Sequence, residues 1–307
     1  MVHFMKINRF IITLLAANIL GGCALNSLSA RHDVAAGIAG TAALAERAIP
    51  AGVFNLTAWE RVSKADAPVD IYIEGDGLAW LNTRTKSLNP TPPDPLALRL
   101  AAADRSDNVV YIARPCQYTG WNGAGACPDI YWTNGRTAAE VIYAYNQALD
   151  NIKSLYGVSG FNLVGYSGGA AVAALVAAGR ADILSLRTVA GNTDYTAFSA
   201  IHAVSPLNAS LNPVDAAAKL ARLPQQHFIG GEDTVVPPEI FNSWKQASGD
   251  TTCIQSSVIP GSAHEKGWVE KWPELLNAPL ACTPAAAPEK AGQSPDALYS
   301  GIYSNFK

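Results

Sequence analysis

The chain has 307 residues, of which 49% are hydrophobic and 15% charged, and its formal net charge is −3. That is enough apolar material for one domain with a large buried core. With a slightly acidic balance, no Lys/Arg-rich run and no basic patch interleaved with aromatics, nucleic acid is excluded as a partner.

Residues 1–22 come first. Lys6 and Arg9 form a basic start, Phe10 to Leu20 is apolar apart from Thr13 and Asn18, and Leu20-Gly21-Gly22-Cys23 closes the stretch. The apolar run is too short to span a bilayer and reads as a signal peptide. The closing tetrapeptide resembles a bacterial lipobox, which implies acylation of Cys23 and a membrane partner reached through an N-terminal lipid anchor. Ala24 follows where an aspartate would resemble an inner-membrane retention signal, so the expectation is an outer-membrane protein facing the periplasm. Ordinary cleavage, giving a soluble periplasmic or secreted protein, is the alternative.

Residues 23–46 are alanine-rich and suit a tether leading into a helix, with the folded domain expected over 47–283. Strand-like runs follow at Val53 to Val62 and Val69 to Ile73, the second ending in the glycine loop Glu74-Gly75-Asp76-Gly77. A helix is predicted from Asp94 to Ala103 and a strand from Val109 to Ala113. Beyond it lies the loop Arg114-Pro115-Cys116-Gln117-Tyr118-Thr119-Gly120-Trp121, which runs through Cys127 to Tyr131-Trp132. Its aromatics Tyr118, Trp121, Tyr131 and Trp132 are candidates for a pocket rim, with plain packing over the sheet as the other reading. Leaving Cys23 aside, four cysteines remain, an even number behind an export signal. Of the three possible connectivities, local pairing of Cys116 with Cys127 and of Cys253 with Cys282 is the simplest. Their spacings are not those of a metal site, so no metal is expected.

After a predicted helix from Thr137 to Tyr156 comes the most telling segment, Phe161-Asn162-Leu163-Val164-Gly165-Tyr166-Ser167-Gly168-Gly169. It is an apolar strand running into G-x-S-x-G and then directly into the small-residue helix Ala170 to Gly179. In that setting the glycines permit a sharp turn that presents the Ser167 hydroxyl beyond the carboxyl end of a sheet. A serine hydroxyl is a weak nucleophile, so it needs a base and an acid that orients the base.

A strand at Leu184 to Ala190 precedes Gly191-Asn192-Thr193-Asp194-Tyr195, where Asn192 is a second candidate for the pocket wall. A helical piece is predicted at Val214 to Leu223. The strand His227 to Gly230 then leads into Gly231-Glu232-Asp233 and a helix start set by Pro237 and Pro238. Asp233 is the expected acid, with Asp194 and Glu232 as rivals. The last strand, Cys253 to Ile259, ends in Pro260-Gly261-Ser262-Ala263-His264, a polar loop that suits the base. Of the five histidines, His3 lies in the leader and His32 just after it, His227 sits inside a strand, and His202 is the main competitor of His264. Residues 284–307 read as a flexible tail, and no internal repeat is found.

Taken together, the elbow at Ser167, the turn at Asp233, the turn at His264 and the upstream glycine loop resemble the α/β-hydrolase family over roughly residues 50–280. The resemblance implies an α/β fold with a mostly parallel central sheet and helices on both faces. It also implies a Ser167–His264–Asp233 triad working without a cofactor, and an oxyanion hole made by the amides of Asp76 and Gly168. Glu74 stands where many members have histidine, which leaves Gly75 as the alternative donor. The stretch between Asn192 and Gln225 is too short for the large helical lid of interfacial lipases. An esterase-type serine hydrolase acting on a small or extended acyl substrate is therefore expected. A serine peptidase on the same fold and a non-catalytic binding or scaffold lipoprotein are the alternatives.

Overall fold

The computed structural model describes residues 27–119 and 127–282. Eight strands form one sheet: β1 (Ala45–Ala51), β2 (Phe54–Val62), β3 (Val69–Ile73), β4 (Asn108–Ile112), β5 (Phe161–Tyr166), β6 (Ile183–Val189), β7 (Gln225–Gly230) and β8 (Ile254–Ile259). They lie in the order β1-β2-β4-β3-β5-β6-β7-β8. Pairing from β4 through β8 is parallel throughout, while β2 runs antiparallel to both β1 and β4.

The central strands read as nearly unbroken apolar runs because helices cover both of their faces. Side chains alternate between two cores. Ile71, Ile73, Val110, Ile112 and Leu163 point into one, with α3 (Ala139–Tyr156), α4 (Gly168–Gly179) and α6 (Pro238–Ser248). Tyr72, Val109, Tyr111 and Val164 point into the other, with α1 (Leu28–Thr41), α2 (Leu96–Ala103) and α7 (Trp272–Leu276). α3 shows the amphipathic spacing that such packing demands: Val141, Ile142, Tyr145, Ala148, Leu149 and Ile152 are buried. It stops at Gly157, whose φ of +64° is the left-handed cap that favours glycine.

Three elements depart from the sequence reading. β1 starts at Ala45, inside the segment expected to be a tether, and pairs with β2 along its whole length from Ala45↔Glu60 to Ala51↔Phe54. Its sequence AERAIPA carries little strand signal by itself. Pro50 is tolerable because this is an edge strand, and the Arg47–Glu60 ion pair at 2.6 Å adds a cross-strand tie. The helix expected at Val214 to Leu223 is instead two 3-10 turns, Pro213–Ala216 and Ala218–Leu220. Between β6 and β7 lies the short helix α5 (Tyr195–His202), which the polar sequence GNTDY concealed. With the two turns it makes up the described structure of that connection, and no lid domain is present among the described residues. No helix among them is long and apolar enough to cross a membrane.

β3 and β5 are neighbours, but the connection leaving β3 returns to β4 on one side while the one leaving β5 runs on to β6 on the other, so the two diverge. A crevice opens outside the carboxyl ends of strands at such a switch point.

Candidate active site

Ser167 joins β5 to α4 with φ 51° and ψ −120°, a strained conformation for a residue with a side chain. The turn is this tight because glycine flanks it. A Cβ at Gly165 would lie 2.4 Å from the Ala170 Cα, and one at Gly169 would lie 2.3 Å from the Ile73 carbonyl oxygen. Two backbone bonds hold the strained residue in place: its N–H donates to the Val189 carbonyl, and its carbonyl accepts from the Asn192 N–H, both at 3.0 Å.

Asp233 follows β7 in a turn that its own side chain organises. Its Oδ1 accepts from the amides of Val235 at 2.8 Å and Val236 at 2.9 Å, leaving Oδ2 for the His264 Nδ1 at 2.9 Å. On the far side of the ring, His264 Nε2 stands 3.0 Å from Ser167 Oγ. The Asp233 side chain is 0% exposed and that of His264 14%. A buried carboxylate facing Nδ1 favours the tautomer with its proton there, which leaves Nε2 free to accept from the serine. Trp268 fixes the histidine loop: its indole N–H donates to the carbonyls of Ala263 at 2.7 Å and His264 at 3.2 Å.

The rival residues have other partners. Asp194 caps α5, accepting from the amides of Thr196 and Ala197 and from Asn212 and Ser243. Glu232 is exposed. His202 meets the Val235 carbonyl at 2.8 Å. His227 is buried between Thr188 and Gln225, and burial pushes its pKa down to about 3.

The glycine loop after β3 separates the two donors that the sequence left open. Gly75 N–H donates at 2.9 Å to the Oε1 of Glu74, whose Oε2 accepts from Tyr111 at 3.1 Å, so the Gly75 amide is already engaged. The Asp76 amide has no acceptor among the described residues, and Gly168 is the first residue of α4, where the amide lacks an intrahelical partner. Burial raises the Glu74 pKa to about 7, against the lowering effect of the amides that donate to it. The Asp76 carboxylate packs directly on Gly168, where an added Cβ would sit 2.2 Å from its Oδ1. There it pairs with Arg114 at 3.2 Å and with Arg136 at 2.5 Å.

A cleft of about 850 Å³ opens over Ser167 and His264. Asn192 lines it, as expected. Tyr118, Tyr131 and Trp132 do not, which corrects the reading of the aromatic loop: they are absorbed in packing. Tyr118 lies edge-on to Trp59, Tyr131 edge-on to Phe54, and the Trp132 indole donates to the Ser87 carbonyl. The walls come instead from Trp80, Leu78, Phe198 and Val235, and from Arg136. Arg114 was within reach of sequence reasoning, since it directly follows a parallel strand whose carboxyl end faces the crevice. Arg136 lies before α3 with no local signal. Trp121 and Cys23, with residues 1–22 and 284–307, fall outside the described residues.

Both cysteine pairs are joined as local pairing predicts, Cys116 to Cys127 and Cys253 to Cys282. The second ties the start of β8 to the segment after α7, enclosing the histidine loop. Among the described residues no three His, Cys, Asp or Glu side chains gather where they could hold a metal ion.

No protein-family model and no curated protein sequence matches the chain. Solved structures do. A protein of unknown function from Agrobacterium tumefaciens aligns with a TM-score of 0.53 at 18% identity over 78% of this chain and 100% of its own. The Pyrococcus furiosus esterase aligns with a TM-score of 0.55 at 14% identity, covering 77% of this chain and 90% of its own. The acylaminoacyl peptidase of Pyrococcus horikoshii gives 0.52 at 12% identity, with 71% of this chain matching 37% of that one. Likeness at these identities speaks to the fold, and with the sheet order and the elbow described above it shows that the chain has the α/β-hydrolase fold.

Proposed function

We propose that the chain is a serine hydrolase of the esterase type. The observation that carries this is the unbroken series Asp233–His264–Ser167, closed at 2.9 and 3.0 Å beside an open cleft. In this reading His264 Nε2 takes the hydroxyl proton as Ser167 Oγ attacks the carbonyl carbon of an ester. The amides of Asp76 and Gly168 hold the oxyanion. As the tetrahedral intermediate collapses, His264 returns the proton to the departing alkoxide and an acyl-enzyme remains. Water then attacks the acyl carbon with His264 again as base, releasing the acid and restoring the serine. Asp233 orients the imidazole and stabilises its charged form.

The open cleft suits a small or extended acyl substrate. A fluorophosphonate probe on purified protein tests the reading: covalent labelling that disappears in Ser167→Ala is expected, and absence of labelling on folded protein would refute it. A panel of activated esters beside amide and peptide substrates separates esterase from peptidase.

We also propose export and lipid anchoring at Cys23. The leader and the two disulfides support this, because stable disulfides form in oxidising compartments. In cells, Cys23→Ser should move the protein from the membrane fraction to the soluble one, and unchanged membrane association would count against the anchor.

A further inference from the structure

The wall of the cleft beside the oxyanion loop is charged in a way that ester hydrolysis does not itself require. Asp76 faces two arginines, so the cluster carries one positive charge in excess. The Arg136 side chain is only 12% exposed and held at two points, by Nε on the Thr133 carbonyl and Nη1 on Asp76, yet it lines the cleft. Its remaining nitrogen, Nη2, has no partner among the described residues. Arg114 is buried behind it and donates to the Arg136 main-chain carbonyl, which keeps the pair from swinging away.

Asn192 is a second observation on the same cleft. It is 3% exposed, its backbone is bonded to Ser167, and its side-chain carbonyl oxygen is buried without a partner. Its amide nitrogen, unlike the oxygen, is not fully buried and makes no hydrogen bond among the described residues, so as placed it can donate to a ligand in the cleft.

Glu74 also lines the cleft, but it is buried, burial raises its pKa to about 7, and its oxygens are engaged by the Gly75 amide and the Tyr111 hydroxyl; the remaining charges lie at the rim. Asp94 and Arg99 pair with each other, while Glu265, Lys266 and Glu270 are exposed on the histidine side.

Resting on the hydrolase reading above, we propose that Arg136 and Asn192 form a carboxylate-binding subsite for the acyl part of the substrate. The favoured substrates are then esters of short dicarboxylic acids whose second carboxyl group is free and ionised. The side is set by the chemistry. His264 must reach the leaving oxygen, so the alcohol faces His264 and the acyl chain extends the other way, toward the loop that Asp76 and Arg136 hold. A fixed guanidinium whose Nη2 still has N–H groups to donate matches a carboxylate better than a neutral acyl tail.

The test compares p-nitrophenyl hemiesters of succinic, glutaric and adipic acids with p-nitrophenyl esters of unsubstituted acids of equal chain length. In wild type the best hemiester should exceed its neutral counterpart in kcat/KM by about tenfold or more, mainly through KM. Arg136→Gln should bring that ratio close to one, and Arg136→Lys should restore part of it. A wild-type preference for the neutral esters, or a ratio unmoved by Arg136→Gln, would overturn the subsite.

A second measurement is independent of turnover. Titrated into Ser167→Ala protein, monomethyl glutarate should bind more tightly than dimethyl glutarate, and the difference should vanish when Arg136→Gln is added. That result upholds the subsite even if wild type cleaves no ester. Equal binding of the two compounds rejects it even if a fluorophosphonate labels Ser167.

Discussion

The two sides of the cleft are built on different principles. On one side stand Ser167, Asp233 and His264, each presented by a short turn at the end of a strand, with glycines or backbone amides supplied by the same few residues. On the other stand Asp76, from the connection after β3, and Arg114 and Arg136, from the two ends of the connection between β4 and α3; they lie between 22 and 60 residues apart and are joined by charge. The nucleophile side is therefore rigid through local backbone geometry, while the facing wall depends on a buried ion cluster. A buried cluster of this kind gives position and selectivity more readily than stability, since desolvating its charges offsets much of their attraction.

Substitutions can break this contrast, beginning with the largest effect. Ser167→Ala should remove esterase turnover by about 10⁶ in kcat, and Asp233→Asn should cost about 10⁴ through the wrong histidine tautomer. Asp194→Asn should leave turnover near wild type, because Asp194 serves as a helix cap. Steady-state kinetics on the three variants would reverse the assignment of the acid if only the Asp194 variant lost rate.

Where the two sides meet, Gly168→Ala places a methyl group against the Asp76 carboxylate. A side chain can shift where backbone cannot, so this protein should fold but lose about 10² to 10³ in kcat as the oxyanion loop moves. Gly169→Ala meets the Ile73 carbonyl instead and should fail to accumulate as folded protein. Thermal unfolding set beside kinetics distinguishes the two, and equal stability of both variants would contradict the picture.

The Cys253–Cys282 bridge closes a loop across the His264 segment, 29 residues apart in sequence. Replacing both cysteines with serine should cost about 3–4 kcal/mol in the chain-entropy model, read as a lower denaturation midpoint.

Glu74 has the smallest expected effect and the clearest sign. Its folded pKa of about 7 lies above the ordinary value of 4.5, so the folded state holds the proton more tightly than the unfolded chain does. Wild-type stability should therefore be fullest below about pH 4.5 with respect to this group and fall as the pH rises toward 7. The loss is at most about 3 kcal/mol. Glu74→Gln should flatten that decline. Denaturant melts at pH 5 and pH 8 decide it, and an unchanged slope would show that Glu74 is not the group responsible.

How much of this could be read in advance differs between the two walls for the same reason. G-x-S-x-G between an apolar strand and a small-residue helix, Asp233 in a glycine turn and His264 in another were visible because each is a local pattern with a local steric meaning. The parallel strands were visible too, as apolar runs buried on both faces. β1 was hidden because AERAIPA becomes a strand only by pairing with β2. The aromatics of the Cys116 loop suggested a pocket rim, but an aromatic side chain reads the same whether it borders a cavity or fills a core.

By itself the sequence determined the elbow, the order of serine, acid and histidine and the α/β class, since each follows from neighbouring residues and their backbone preferences. Only the tertiary structure decided that the Gly75 amide is engaged by Glu74, that Trp80 and Phe198 wall the cleft, and that two arginines from the connection between β4 and α3 meet Asp76 beside the nucleophile. Those contacts join segments remote in the chain, and their energies come from burial and from charges brought together in the fold.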